Sequence, residues 1–186
     1  MARPLRLAFS MVLAGCSVLA GCGASAPPAT PPPPTTLTVA DPTTADGARA
    51  MEPVCFETER CDALDADCDG RIDEGCDGAP GSDALAVGLA WSDGARLAVE
   101  VAPAGLRAEA PATDCEERPG PPAPLYLAGA LGPGEHRVTV ARLERCGEPA
   151  THASVSVAFA GRALGVYVVE VGDAPADVLR FTVRAE

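Results

Sequence analysis

Residues 84–101 read ALAVGLAWSDGARLAVEV, and this stretch decides the fold class. In its first half, large apolar residues alternate with alanine and glycine, so every second side chain suits a buried surface. The Ser-Asp-Gly sequence at 92–94 marks a turn, after which the alternation resumes at Leu97. Two alternating runs joined by a short turn are typical of an antiparallel β-hairpin with one face in a core. The stretch therefore predicts β structure.

The same alternation recurs along the rest of the chain. The sequence shows no long window in which helical periodicity is combined with capping residues. Turn residues separate the strand-like runs at the short intervals that are typical of sandwiches. We therefore expect an all-β fold, an antiparallel β-sandwich over residues 82–186. Its further strands are predicted at residues 125–127, 136–143, 153–160, 164–171 and 178–184.

Short motifs within this region resemble a known class of domain. Trp-Ser-Asp-Gly at 91–94 is followed by Ala-Pro-Ala-Gly at 102–105, and Leu-Gly-Pro-Gly at 131–134 precedes a strand-like run. This order resembles exported bacterial β-sandwich domains of the pre-peptidase kind, with His136 in place of their usual aromatic residue. The resemblance implies a sandwich that serves as a binding or structural module.

The N-terminus has the features of an export signal. Arg3 and Arg6 precede an uncharged apolar run at residues 7–19, shorter than the roughly 20 residues of a membrane-spanning helix. The run ends in Leu-Ala-Gly-Cys, which resembles the lipobox of bacterial lipoproteins, whose cysteine is acylated. We predict a signal peptide at residues 1–21 and lipidation at Cys22. Cys16 ends a second copy of the motif, but Cys22 leaves the longer apolar region.

A segment rich in proline, alanine and threonine follows. Residues 22–51 carry almost no large apolar side chains, so we expect them to form a disordered, extended tether. Such a tether would hold the remaining chain away from a membrane. Gly23 stands where an aspartate often marks lipoproteins for retention in the inner membrane, so the outer membrane is favoured.

An acidic, cysteine-rich segment spans residues 52–78. It contains ten carboxylates and two arginines, so either the segment is a solvated disulfide knot or a bound cation offsets its charge. Three aspartates alternate at 65–69 and are followed by Gly70, which permits the sharp turn of a metal loop. Oxygen ligands favour Ca²⁺, so we expect a structural calcium site. Its predicted ligands are Asp65, Asp67, Asp69, the carbonyl of Arg71, and Asp73.

Residues 61–76 read CDALDADCDGRIDEGC and resemble the MopE-type metal-binding motif of bacterial surface proteins. The loop is also similar to those of thrombospondin type 3 repeats, where disulfides replace the helices of an EF-hand. The last ligand position of an EF-hand loop is a glutamate, but this sequence has Cys76 there. The resemblance implies a disulfide-pinned loop that binds a calcium-like ion.

The cysteines beyond residue 22 are expected to form disulfides, because an exported chain meets an oxidising compartment. The acidic segment contains four of them, and their three alternative pairings stay open. Their spacings are unlike the short C-x₂₋₄-C pairs of zinc sites, so zinc binding is rejected. The candidates are Cys55, Cys61, Cys68 and Cys76 in the segment, and Cys115 paired with Cys146 in the β-domain.

Charge and histidine content limit the functional classes. The net charge is −12 and the arginines are not clustered, which argues against a nucleic-acid partner. The two histidines, His136 and His152, have no G-x-S-x-G motif to accompany them, so we predict that the protein is not an enzyme. Trp91 is expected in the core, His136 in a strand, and His152 in an exposed loop.

The leading hypothesis is a lipid-anchored protein of the cell envelope or surface with a structural calcium site. Its β-sandwich would bind a protein or glycan partner or serve a structural role, and its lipid would provide the contact with the membrane. A metal-sequestering accessory lipoprotein is the alternative, and a hydrolase is the third hypothesis.

Overall fold

The computed structural model describes residues 36–52, 55, 58, 84–112, 125–147 and 149–186. These residues form β-strands joined by turns, and every strand pairing among them is antiparallel. The strands are β1 Leu37–Thr44, β2 Ala48–Met51, β3 Ala84–Trp91, β4 Arg96–Ala102, β5 Leu106–Glu109, β6 Leu125–Ala130, β7 Gly134–Glu144, β8 Thr151–Phe159, β9 Arg162–Val171 and β10 Ala176–Ala185.

The strands form two five-stranded sheets that pack as a sandwich. Sheet A has the order β1-β10-β7-β4-β5, and sheet B has the order β2-β9-β8-β3-β6. The hairpin that the sequence predicts at residues 84–101 is divided between the sheets, because β3 lies in sheet B and β4 in sheet A. The predicted all-β class and antiparallel sandwich are confirmed.

The core follows the alternation of the sequence. On β3, Leu85, Val87, Leu89 and Trp91 are buried on the inner face, where they join the buried valines and leucines of sheet A. Trp91 Nε1 donates a hydrogen bond of 2.8 Å to the carbonyl of Ala95, which satisfies its one polar group. The prediction that Trp91 belongs to the core is confirmed.

The sandwich begins earlier in the chain than the sequence predicts. β1 pairs with β10 and β2 with β9, so residues 37–51 contribute an edge strand to each sheet. The prediction of a disordered tether is therefore wrong for these residues. Leu37 and Val39 pack against the core from β1, and this burial offsets the weak strand signal of a Pro- and Thr-rich stretch. Pro42 is accommodated because the pairing register shifts between Ala40 and Thr43, where the ladder needs no N–H.

The two sheets are connected differently at the two edges of the sandwich. On one side, the turn at Ala45–Gly47 leads the chain from sheet A to sheet B, with Gly47 at a φ of +88°. On the other side, Leu106 of β5 packs against Gly129 of β6 so closely that a Cβ on Gly129 would lie 2.7 Å from a Leu106 methyl carbon. β5 was not predicted, because its four residues are too few to show a clear alternation.

The acidic segment lies between two strands of the same sheet. β2 ends at Met51 and β3 begins at Ala84, and both belong to sheet B. Three antiparallel pairings connect them through β9 and β8, so the chain leaves and re-enters the sheet at the same end. Three strand spacings place β3 about 14 Å from β2 across the sheet. The segment is therefore an insertion within the sandwich, not an appendage that precedes it.

Candidate functional site

The predicted metal and lipidation sites lie outside the described residues. The calcium site and the acylated N-terminus accordingly stay predictions, and so does the signal peptide. The residues concerned are Cys22, Asp65, Asp67, Asp69, Arg71 and Asp73, together with Cys61, Cys68, Cys76 and Cys115.

Two cysteines that the structure describes, Cys55 and Cys146, are disulfide-bonded. Cys146 follows β7, and its Cβ lies 3.1 Å from the position that a Cβ on Gly94 would occupy. Gly94 thus lets the turn between β3 and β4 approach this cysteine closely. The described residues do not define either bonded pair, so the pairing of Cys115 with Cys146 stays a prediction.

His136 is a buried residue of β7 in sheet A. Its side chain is 4% exposed and stacks on Phe181, with ring centroids 5.6 Å apart and an interplanar angle of 28°. Nε2 lies 2.8 Å from the carbonyl oxygen of Gly132, a distance at which it donates a hydrogen bond. Nδ1 is buried and has no hydrogen-bond partner among the residues that the structure describes. These contacts hold the ring as part of the core, in the strand that the sequence predicts.

His152 differs from His136 in position and environment. It lies in β8 of sheet B, not in a loop as predicted, and its side chain is 71% exposed. Nε2 is 3.8 Å from a carboxylate oxygen of Glu170, its cross-strand partner on β9. The structure places the two histidines in different sheets and does not bring them together as a catalytic pair.

The outer face of sheet A carries paired charges at the β4–β5 edge. Arg107 contacts Glu100 at 3.1 Å and Glu109 at 2.8 Å, and Arg96 contacts Glu109 and Glu144 at 3.1 Å each. The hydrogen bond that Arg107 donates to the Glu109 carboxylate raises the pKa of Arg107 above its ordinary value. Exposed pairs of this kind contribute little to stability. They do make this face strongly hydrated and polar.

Two shallow clefts adjoin Arg180 on the same sheet. The first cleft has a volume of about 290 Å³ and is lined by the end of β1, Asp46 and Asp177. The second has a volume of about 330 Å³ and is lined by Pro103 and the start of β7. Arg180 donates to Asp177 at 2.8 Å, and this bond raises the pKa of Arg180. Arg137, directly opposite Arg180 on β7, lies 3.7 Å from the same carboxylate. The clefts offer hydrogen-bonding groups of both charge signs to a polar ligand.

A second charge cluster lies at the end of β7. Arg142 occupies the next position of the inward alternation after Val138 and Val140, and its side chain is only 2% exposed. It donates to Asp173, in the turn before β10, at 2.8 Å, and Arg145 bonds the same carboxylate. The hydrogen bonds from Arg142 and then Arg145 lower the pKa of Asp173. The cluster fixes the turn after β9 to the end of sheet A.

Sequence reasoning did not identify either cluster around Asp177 or Asp173. Each one joins residues from strands that are far apart in the sequence, so no short motif marks it. The sequence signal is limited to the charged residues that interrupt the apolar pattern of β7 and β10.

Within the part of the chain that the structure describes, no three histidine, cysteine, aspartate or glutamate side chains lie close enough together to hold a metal ion. The same residues include no helix with the length and apolarity to cross a membrane. Comparisons with protein-family models, with curated proteins and with solved structures gave no match.

Proposed function

We propose that this protein is a lipid-anchored component of the bacterial cell envelope, whose β-sandwich is a binding or structural module and whose acidic insertion binds a structural Ca²⁺ ion. The observation that carries the proposal is the place of the metal motif, residues 61–76. The segment that contains it joins β2 to β3 of one sheet, so an ion that orders the motif would also constrain the sandwich.

The distribution of charge supports the metal part of the proposal. The described strands and turns carry nearly balanced charges, whereas residues 52–78 have ten carboxylates and two arginines. Carboxylates are the ligands that Ca²⁺ prefers, and Asp65, Asp67 and Asp69 supply them at alternate positions. A bound ion would reduce the mutual repulsion of the segment and allow it to remain folded beside the sandwich.

The environments of the histidines support a non-enzymatic role. His136 is held by Phe181 and Gly132 inside the core, and His152 is an exposed strand residue beside Glu170. Each histidine thus has a structural explanation. The polar clefts beside Arg180 are the described surface best suited to a protein or glycan partner, because they combine a guanidinium with carboxylates and threonine hydroxyls.

Calorimetric titration of Ca²⁺ into the oxidised chain from Ala24 onward tests the metal site. We expect one saturable site in the unaltered chain and its loss in the double variant Asp67→Ala, Asp69→Ala, because two of the alternating ligands are removed. Binding of several ions instead of one would favour the sequestering alternative.

A matched variant separates specific ligation from general attraction to an acidic segment. Asp62→Ala with Asp77→Ala removes the same charge from the same segment but spares the alternating triplet. We expect this control to retain the single site. No heat in any chain, or equal weakening in both double variants, would exclude the calcium loop.

The membrane part of the proposal is tested in bacterial cells. Cys22→Ser should abolish acylation of the mature N-terminus and release the protein from the membrane fraction, since the thiol is the attachment point. Cys16→Ser should leave both unchanged. Mass spectrometry of the N-terminal peptide measures acylation directly, and an acyl group on residue 16 would move the anchor to the earlier cysteine.

A further inference from the structure

A groove of mainly apolar character lies between the two sheets, beside β1 and the turn that joins β8 to β9. Leu37 and Val39 line it from sheet A, and Phe159 and Leu164 line it from sheet B. Its volume is about 240 Å³. The clefts beside Arg180 are lined instead by several charged side chains. We call the groove between the sheets the apolar groove.

The lengths of the edge strands explain why the groove is open. β9 begins at Arg162, but its neighbour β2 pairs only with residues 166–169. Among the described residues, no strand pairs with residues 162–165 on that side of sheet B. On sheet A, the β1 ladder is interrupted between Ala40 and Thr43, around Pro42, which also lines the groove. The edge of the sandwich is therefore incompletely closed, and apolar side chains of β1 and β9 stay half-buried.

Arg162 supplies the charge in the lining of the apolar groove. It lies directly opposite Phe159 in the β8–β9 ladder, and directly opposite residues of antiparallel strands share one face of the sheet. Phe159 is a core residue that is 2% exposed, so Arg162 extends from the inner side of sheet B, where it is exposed at the groove. An arginine can lie with its aliphatic stem along apolar surface and its guanidinium in water.

Most of the arginines that the structure describes are already paired with carboxylates. They are Arg96, Arg107, Arg137, Arg142, Arg145, Arg180 and Arg184. Arg49 and Arg162 make no ion pair within the described ranges. A guanidinium presents planar N–H donors that match the two oxygens of a carboxylate. The charge of Arg162 is thus available to an anionic group of a ligand in the groove.

We propose that the apolar groove binds a medium-chain fatty acid, with its carboxylate paired to Arg162 and its alkyl chain on the apolar lining. An uncharged apolar ligand would leave the guanidinium unmatched, and a small anion would leave the lining exposed to water. The volume of about 240 Å³ holds about eight groups the size of a water molecule, at about 30 Å³ each. The site is independent of the proposed calcium loop and lipid anchor, because all of its residues belong to the sandwich.

Titration of the oxidised mature chain with octanoate, followed by methyl NMR, tests the location of the site. The protein is prepared without the lipid, and octanoate is kept below its micelle concentration. We expect saturable shifts of the methyl signals of Leu37, Val39 and Leu164, which line the groove. Leu106 and Leu125 are the controls, because they are also half-buried but lie in β5 and β6, at the opposite edge of the sandwich. Their signals should stay unchanged.

Two comparisons test the role of the charge. Arg162→Gln should raise the dissociation constant for octanoate about fivefold, the change expected for an ion pair that is open to water. Arg49→Gln removes the same charge from the other unpaired described arginine, which lies in β2, and should leave affinity unchanged. In the unaltered chain, 1-octanol should bind about fivefold more weakly than octanoate, and acetate should not shift the groove signals.

Several results would overturn the proposal. Equal binding of octanol and octanoate, or equal weakening by Arg162→Gln and Arg49→Gln, would show that Arg162 does not select the ligand. Shifts confined to leucines outside the groove would place the ligand elsewhere. Binding that appeared only after removal of residues up to 35 would show that the protein's own N-terminal segment occupies the groove. The octanol comparison needs no substitution, so it decides the role of the charge even if a variant does not fold.

Discussion

At the scale of single residues, His136 shows how an imidazole can be held inside the core by ring packing and one hydrogen bond. The ring packs against Phe181 and Nε2 is hydrogen-bonded to the Gly132 carbonyl, while the buried Nδ1 has no partner within the described ranges. We expect His136→Phe to change the free energy of unfolding by less than about 1.5 kcal/mol, because shape is kept and an unsatisfied atom is removed. His136→Ala should lower it by about 2–4 kcal/mol, because a cavity is left.

Denaturant unfolding of both variants measures these changes. A loss in His136→Phe as large as that in His136→Ala would show that the imidazole nitrogens, and not the ring volume, determine the contribution of this residue.

Asp173 provides a prediction about acid stability. Hydrogen bonds from Arg142 and then Arg145 lower its pKa in the folded protein below the ordinary value of 3.8. A depressed carboxyl pKa stabilises the fold above the unfolded-state pKa, and this contribution is lost as pH falls through the folded-state value. Asp173→Asn should therefore lower the melting temperature near neutral pH, with a difference that shrinks below about pH 4.

Thermal unfolding of both proteins across the acid range checks the sign. Because Asp173 is exposed, the difference should be small, and a difference that grew on acidification would contradict the pairing. The sequence does not predict this cluster. Arg142 follows Val138 and Val140 on the inner face of β7, and nothing in the local pattern identifies Asp173, in a distant turn, as its partner.

At the scale of elements, Gly165 and Tyr167 show a local constraint within β9. Gly165 has a φ of +148°, and an added Cβ would lie 2.6 Å from the Tyr167 hydroxyl, which donates to the Leu164 carbonyl at 3.0 Å. Gly165→Ala should destabilise the fold by about 1–3 kcal/mol through backbone strain and this clash. Adding Tyr167→Phe should restore part of the lost free energy of unfolding, because it removes the clashing oxygen. If chemical denaturation showed that the effects of the two substitutions simply add, the contact would be contradicted.

Three edge strands, β1, β2 and β5, were not predicted from the sequence. The strands with long alternating runs, such as β3, β8 and β9, were predicted because large apolar residues recur at every second position. β1, β2 and β5 have few such residues, and they become strands only because an existing sheet edge provides hydrogen bonds and apolar surface. That stabilisation is tertiary, so a local pattern does not reveal it.

Truncation tests the new boundary of the sandwich. Removal of residues up to 35 leaves β1 and β2 intact, so this shortened chain is the reference for the unfolding free energy. Removal of residues up to 47 deletes β1 and the partly buried Leu37 and Val39, and should cost about 2 kcal/mol or more. Equal unfolding free energies for the two truncated chains would show that β1 does not stabilise the sandwich.

At the scale of the whole molecule, the position of the acidic segment between β2 and β3 predicts that the proposed Ca²⁺ binding would stabilise the sandwich. The ends of the segment are fixed by strands in one sheet, whereas in the unfolded chain its ligands are scattered, so Ca²⁺ should bind the native state preferentially. At free Ca²⁺ about 100 times the dissociation constant, this linkage contributes about 2.7 kcal/mol. For a chain of this size the melting temperature should rise by about 5–10 °C, and a chelator should reverse the rise. Asp67→Ala with Asp69→Ala should abolish the shift, and Asp62→Ala with Asp77→Ala should retain it. If calorimetry detected the ion but the melting temperature stayed constant, the loop would be an independent unit, and the coupling to sheet B would be wrong.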